Sequence, residues 1–377
     1  MTPRTGLYIH WPFCARICPY CDFTVAKARD VDVAAWIAAY LEDLDRVADW
    51  IGPREMVSVY FGGGTPALMP PDAVAALLEG VARRFRLDPE AEITLEANPN
   101  DATAERCKGF AAAGVNRLSL GVQSFDDGQL AFLGRDHSAG AAKAAVDAAL
   151  GAFPRMTFDL IYALPGETAA AWAARLREAI ALGAGHLSLY QLTIEAGTAF
   201  AAAVARGDWT SADEDLAAAL YEVTQEVTAA AGLPAYEVSN HAAPGQEAVH
   251  NALYWQGADW IGIGPGAHGR LTVEGQRYAV AGPSQPAAYL KTSASARYDI
   301  EAIAIEGAAI ERIAGGLRPL AGMPLDDLPA AVSARIAPAH ARLVQEGWLE
   351  STPGRLVVAP RGRLLIDRLV GELIADL

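Results

Sequence analysis

Six short runs rich in β-branched and aromatic residues recur through the first half of this 377-residue chain: GLYIHW (6–11), VSVYF (57–61), EITLEA (92–97), RLSLGV (117–122), MTFDLIY (156–162) and HLSLYQL (186–192). Between them lie stretches with apolar residues at helical spacing, near 32–50, 71–85, 102–113, 139–150 and 168–182. This alternation restricts the fold more than any other feature. It predicts right-handed βαβ units and a parallel sheet. The sheet is either doubly wound or curled into a barrel, and alternation alone does not choose between them. In both, ligands gather just past the carboxyl ends of the strands.

Polar and glycine-rich residues do stand at those ends. The first run leads into HWPFCARICPYC and the second into GGGTP (62–66). Glu96 and Asn98 mark the third, Gln123 and Ser124 the fourth, Asp159 and LPGE (164–167) the fifth, Gln191 and Thr193 the sixth. GGGTP lacks the Lys-Ser/Thr of a phosphate-binding loop. It reads either as a close backbone approach to a ligand or as a tight strand-to-helix turn.

Three of the four cysteines, Cys14, Cys18 and Cys21, share a C-x3-C-x2-C spacing. A disulfide among them would close only a tiny loop, so they are not a secreted framework. Clustered thiolates in a reducing compartment hold a soft metal or an iron–sulfur cluster. Three thiolates can ligate three irons of a [4Fe–4S] cube and leave one iron open for a ligand. A zinc site is the alternative, with His10 as fourth ligand. Cys107, in a helical pattern, reads as a packing residue. The formal net charge of −15 disfavours nucleic-acid binding. No apolar run approaches the ~18–20 residues that span a bilayer, and the amino-terminal stretch lacks a signal-peptide core. A cytoplasmic protein is expected.

The triad, GGGTP and the six-strand pattern together resemble the radical S-adenosylmethionine (SAM) superfamily. The longer stretches LYIHWPFC, YFGGGTP, NRLSLGVQSF, FDLIYALPGET, HLSLYQLTIEAGT, YEVSN and HNALYW resemble its haem-chaperone branch, sibling to the oxygen-independent coproporphyrinogen III oxidases. The resemblance runs from about residue 6 to the end of the chain. It implies a partial (β/α)6 barrel, a [4Fe–4S] cluster on Cys14, Cys18 and Cys21, and SAM chelating the open iron, with an electron donor for the cluster. One electron then cleaves SAM to a 5′-deoxyadenosyl radical in enzymes of this class. It further implies SAM contacts from Tyr8, Gly62, Gly63, Gly64, Thr65, Glu96, Gln123, Arg135 and Asp159. The branch's role would be to bind haem as cargo and deliver it to haem-requiring proteins. The alternative is the oxidase of porphyrin biosynthesis. Against it, the oxidase pattern C-x-C is absent, since the chain reads Cys21-Asp22-Phe23, and the oxidase's amino-terminal extension has no counterpart before the triad. Catalytic residues are not identified.

HNALYW (250–255) is the second focus. Imidazole is a common axial ligand of haem iron, and flat aromatics suit a porphyrin face. His250, Tyr254 and Trp255 are thus candidate haem contacts, with His241 and His268 as rival ligands. The same residues read equally as a turn histidine beside core aromatics. GIGPGAHG (262–269) is no dinucleotide fingerprint and is expected to line the SAM pocket or to form a glycine-rich turn.

Past GPSQP (282–286) the pattern changes to helices near 299–314 and 330–346, a hairpin around Pro353-Gly354 and a helix at 361–375. The expected division is a barrel domain over 1–281 and a small helical, winged-helix-like domain over 287–377. That second unit holds 9 Arg against 11 Asp and Glu over 297–377, so it lacks a nucleic-acid-binding face. The oligomeric state stays open, a homodimer included.

Overall fold

A computed structural model describes residues 3–377. All six expected strands form: β1 (Arg4–Trp11), β2 (Glu55–Gly63), β3 (Arg86–Ala97), β4 (Arg117–Gln123), β5 (Arg155–Tyr162) and β6 (His186–Gln191). Each pairs in parallel with its predecessor in sequence. A doubly wound sheet would reverse its order at a switch point. The unreversed order 1-2-3-4-5-6, with right-handed crossovers, puts every connecting helix on one face and turns the other face inward. This is the order of a barrel.

The two faces differ as that geometry requires. Leu7, Ile9 and Trp11 of β1 lie in the core under the helix Val33–Ile51, where Trp11 meets Trp36 edge-on at 6.1 Å. The alternate residue Tyr8 stacks on Tyr60 of β2 at 6.0 Å on the inner face. Helices start where a capping side chain precedes an apolar stripe. Asp32, Thr103, Ser138 and Thr168 each accept from the backbone N–H three residues on.

The barrel stays open. Antiparallel β7 (Asn240–Ala242) ends the sheet beside β6. On the far side a strand not expected from the sequence, β8 (Asp259–Ile263), lies parallel to β1. A meander follows through β9 (His268–Val273), β10 (Gln276–Ala281) and β11 (Asp299–Ala302), so that among the described residues this main sheet has eleven strands. One expectation is corrected here. Residues 299–302 are a strand paired with β10, and the helix begins only at Ile305. Strand pairing, a long-range contact, overrides local periodicity in that segment. AYEVSN forms bends and an isolated bridge, Ala235 to His241, leading into β7.

Tyr289 and Tyr298 belong to the barrel's core, and the second core begins at Ala309. Arg297 and both tyrosines converge on Asp43, wholly buried, with Arg297 Nη1 at 2.5 Å and Tyr298 Oη at 2.6 Å. A buried carboxylate this well paired pins the segment before β11 to the barrel. We propose the two-unit division with its junction near residues 303–304. The carboxyl-terminal unit is helical, with Ile305–Gly316, Ala330–Gln345 and Ile366–Ile374 around a minimal hairpin bridged from Leu349 to Val358. Among the described residues no helix is long and apolar enough to cross a membrane.

Candidate functional site

A cavity of about 330 Å³ opens at the carboxyl end of the barrel strands. Cys14, Cys18 and Cys21 all line it, while Cys107 lies buried in the helical layer as expected. The loop that carries the triad is fixed at both ends. Phe13 wedges between Trp11 and Trp36, each at 5.2 Å. The N–H groups of Gly64 and Thr65 donate to the carbonyls of Trp11 and Phe13 at 2.7 and 2.8 Å, and that of Ala26 donates to Pro12. A Cβ on Gly64 would stand 2.7 Å from the Phe13 carbonyl oxygen. A side chain at this position would therefore push the loop off the sheet.

Two of the thiols hold their protons more tightly than a free cysteine does. Burial pushes Cys14 up to about 11 and raises Cys21, so binding a metal must displace their protons. Arg135 reaches in from just past the short helix Asp127–Phe132 that follows β4. It donates to Cys18 Sγ at 3.3 Å, to the Gly121 carbonyl at 2.8 Å and to Asn98 Oδ1. The donor set and cradle fit an iron–sulfur cluster held by three thiolates from one loop. His10 does not supply a fourth ligand. Its Nε2 is 2.8 Å from the Thr24 carbonyl, its Nδ1 is 3.1 Å from Tyr8 Oη, and it is buried. Among the described residues no three His, Cys, Asp or Glu side chains are drawn together tightly enough to enclose one bare ion.

Opposite the loop stand two acids. Glu96 accepts from Tyr60 Oη at 2.7 Å and from the Gly63 N–H at 3.1 Å. Desolvation nonetheless lifts its carboxyl to about 7, and the nearby Asp159 adds to the rise. Asp159 is lifted to about 6 by the same burial, opposed by Ser188, Arg117 and Arg135. Two buried acids whose burial opposes their ionisation, facing the cysteine loop, suit a ligand that brings positive charge.

Of the expected SAM contacts, Gly63, Gly64, Thr65, Glu96, Gln123, Arg135 and Asp159 line this cavity. Tyr8 and Gly62 do not. A Cβ on Gly62 would meet the rings of Tyr8 and Tyr60 at 2.7 and 2.9 Å, so this glycine makes room for the inner aromatic layer. Gly63 is held at φ +111°, and its Cβ would meet the His10 ring at 2.5 Å, so the glycine is set by chain geometry as well as by its place at the cavity. Gln123 also has positive φ, 68°, a strained setting at the end of β4. Ser119 and Tyr190 also line it, and the sequence reading does not name them as site residues. Strand alternation in LSL and LSLYQ was the signal that pointed them inward. GIGPGAHG does not line the cavity. It is the glycine-rich turn of the two expectations, with Gly264 packed on the His10 carbonyl and Gly266 on Thr24.

HNALYW forms the helix Val249–Trp255 and plugs the opposite end of the barrel. His250 is buried. Its Nδ1 is 2.8 Å from Ser58 Oγ, its Nε2 is 2.6 Å from Tyr254 Oη, and its ring stacks on Tyr60 at 5.0 Å. Burial lowers it to about 3. Both nitrogens are committed, so in this arrangement the axial-ligand role expected of His250 has no free lone pair. Trp255 packs on Tyr236 at 5.9 Å. Of the rivals, His241 is buried without a hydrogen-bond partner on either ring nitrogen, and His268 is exposed on β9.

The fold and the cysteine-lined cavity define the class, and comparison with known proteins agrees. The radical SAM superfamily description matches residues 8–179. The fold aligns with Escherichia coli HemN, described as a coproporphyrinogen III oxidase and radical SAM enzyme. Its TM-score is 0.82 at 20% identity, over 100% of this chain and 91% of that one. Within the class the chain belongs to the HemW-type radical SAM proteins. It is 38% identical over 373 residues to the heme chaperone HemW of Mycobacterium tuberculosis, 98% of this chain and 94% of that one. To the HemW of E. coli it is 41% identical, over 72% and 71% of the two chains. The mitochondrial radical SAM domain-containing protein 1 of Bos taurus is 43% identical over 72% of this chain, which spans 62% of that relative's length.

Proposed function

We propose that this chain is a cytoplasmic haem chaperone that carries a [4Fe–4S] cluster and SAM, binds haem and hands it to haem-requiring proteins. The observation that carries the reading is the likeness to a protein named heme chaperone along nearly the whole of both chains. Cys14, Cys18 and Cys21 hold three irons. When bound, the cluster and SAM supply one-electron chemistry. Glu96 and Asp159, both lining the cavity, would hold the cationic groups of SAM. Arg135 orients the loop through Cys18 and Asn98. Gln123 and Thr65 close the wall. Phe23 and Ile17, 65% and 47% exposed beside the cavity, offer an apolar rim to a haem acceptor or an electron donor. The oxidase alternative draws on fold likeness alone, and Phe23 stands where its fourth cysteine would be.

Substitution of each thiol tests the cluster assignment. Cys14→Ser, Cys18→Ser and Cys21→Ser are each expected to lose the iron, sulfide and brown absorbance of anaerobically reconstituted protein, because a hydroxyl is a poor ligand for this soft site. Cys107→Ser is expected to keep them. Retention of a full cluster by Cys18→Ser would refute the assignment.

A further inference from the structure

A second cavity, of about 640 Å³, lies at the other end of the barrel. It sits between the β9–β10 hairpin and the helix Ile305–Gly316, beside the amino-terminal end of β8. Ligand sites of this fold are expected at the carboxyl ends of strands, so nothing already described accounts for it. Its size falls within the ~300–1,000 Å³ of small-molecule sites.

Its walls are specific in chemistry. On one side stands Trp260, with the Tyr254 ring packed against it edge-on at 4.7 Å. The Trp260 indole N–H donates to the His268 carbonyl at 3.0 Å, so the ring is fixed in place. The guanidinium carbons of Arg270 and Arg277 lie 5.8 and 6.0 Å from its centroid. Apolar lining comes from Ile303, Ala308 and Ile305, the last 67% exposed. Arg312 completes a set of three arginines lining a cavity in a chain whose formal charge is −15. Each arginine already meets one carboxylate: Arg270 meets Glu311 at 2.7 Å, Arg277 meets Asp259 at 3.2 Å and Arg312 meets Asp327 at 2.5 Å. A guanidinium has five N–H donors, so these pairs hold the forks in position and leave donors for a further acid group.

The cavity also touches the HNALYW segment from outside the barrel. Tyr254 lines it, and Arg312 Nη1 donates to the Trp255 carbonyl at 2.8 Å. The segment therefore reaches this cavity, while none of its residues lines the cysteine cavity.

We propose that this cavity binds a porphyrin, with its plane along the Ile303–Ala308 wall, an edge at Trp260, and its propionates on the arginines. The inference rests on the haem-chaperone reading and locates the cargo site away from the cluster. Recognition here is of plane and charge, so iron is dispensable. Iron-free protoporphyrin IX is expected to bind as haem does and to quench tryptophan fluorescence.

The test titrates the reconstituted full chain with haem and, separately, with protoporphyrin IX. It uses the parent, Trp260→Ala, and Ile305→Glu, which sets a negative charge at the exposed mouth without disturbing the core. Both variants are expected to weaken both ligands about tenfold or more, with iron and sulfide content unchanged. If the parent binds haem and both variants bind it equally well, the chaperone reading stands and this site is wrong. If haem binds but protoporphyrin IX does not, recognition runs through the iron and the proposal is likewise overturned. If the parent binds neither, the haem reading itself fails.

Discussion

At the scale of single residues, the cysteine cavity is governed by where charge is tolerated. Glu96 and Asp159 carry pKa values of about 7 and about 6, above the ordinary carboxylate range, because burial opposes their ionisation. In the empty protein the folded state therefore keeps protons that the unfolded chain gives up above about pH 4.5. The stability owed to these groups is present below that pH and declines as pH rises through about 7. A cationic ligand reverses the preference and draws both acids into their charged form. SAM affinity is accordingly expected to fall roughly three- to tenfold between pH 8 and pH 6, within the limit of tenfold per pH unit for one coupled proton. Glu96→Gln should bind more weakly with a flatter profile. Calorimetric titration across that range checks it, and a profile for the parent that is flat or rises toward acid would contradict the assigned contact.

At the scale of elements, the sequence was most informative where one element carries its own pattern. The six parallel strands came from alternating runs, the cysteine loop from its spacing, and the polar strand ends from chain order. What escaped depends on pairing between distant segments. Nothing local marks DWIGI as a strand beside β1, because its partner lies some 250 residues away. Asp299–Ala302 lies next to a helical stripe and is decided by the edge that β10 offers. The motif HNALYW shows the same limit. Its residue types suit haem, yet His250 spends both nitrogens joining its helix to β2 and to Tyr254. His250→Ala should leave Ser58 and Tyr254 without that partner inside the barrel and cost about 2–4 kcal/mol. Denaturant unfolding of the cluster-free protein measures this, and a loss under 0.5 kcal/mol, read as about zero on this scale, would mean that the helix is held by other contacts.

At the scale of the whole molecule, the chain has two ends with different chemistry. One gathers thiols, acids and Arg135 around a cavity suited to a cluster and SAM. The other carries an aromatic and arginine-lined cavity where the carboxyl-terminal helix Ile305–Gly316 meets the sheet. Between them runs an inner layer of Tyr8, Tyr60 and His250, stacked and hydrogen-bonded rather than hollow. The sequence could not reveal the second cavity. Its walls come from residues 254 to 329, and no two of its arginines share a motif. The protein's proposed work, carrying haem rather than making porphyrin, is tested most directly by titrating haem into the anaerobically reconstituted chain and following the Soret band. A saturable shift that ends at one haem per chain is expected. Absence of any saturable shift, in a sample that converts coproporphyrinogen III, would contradict it.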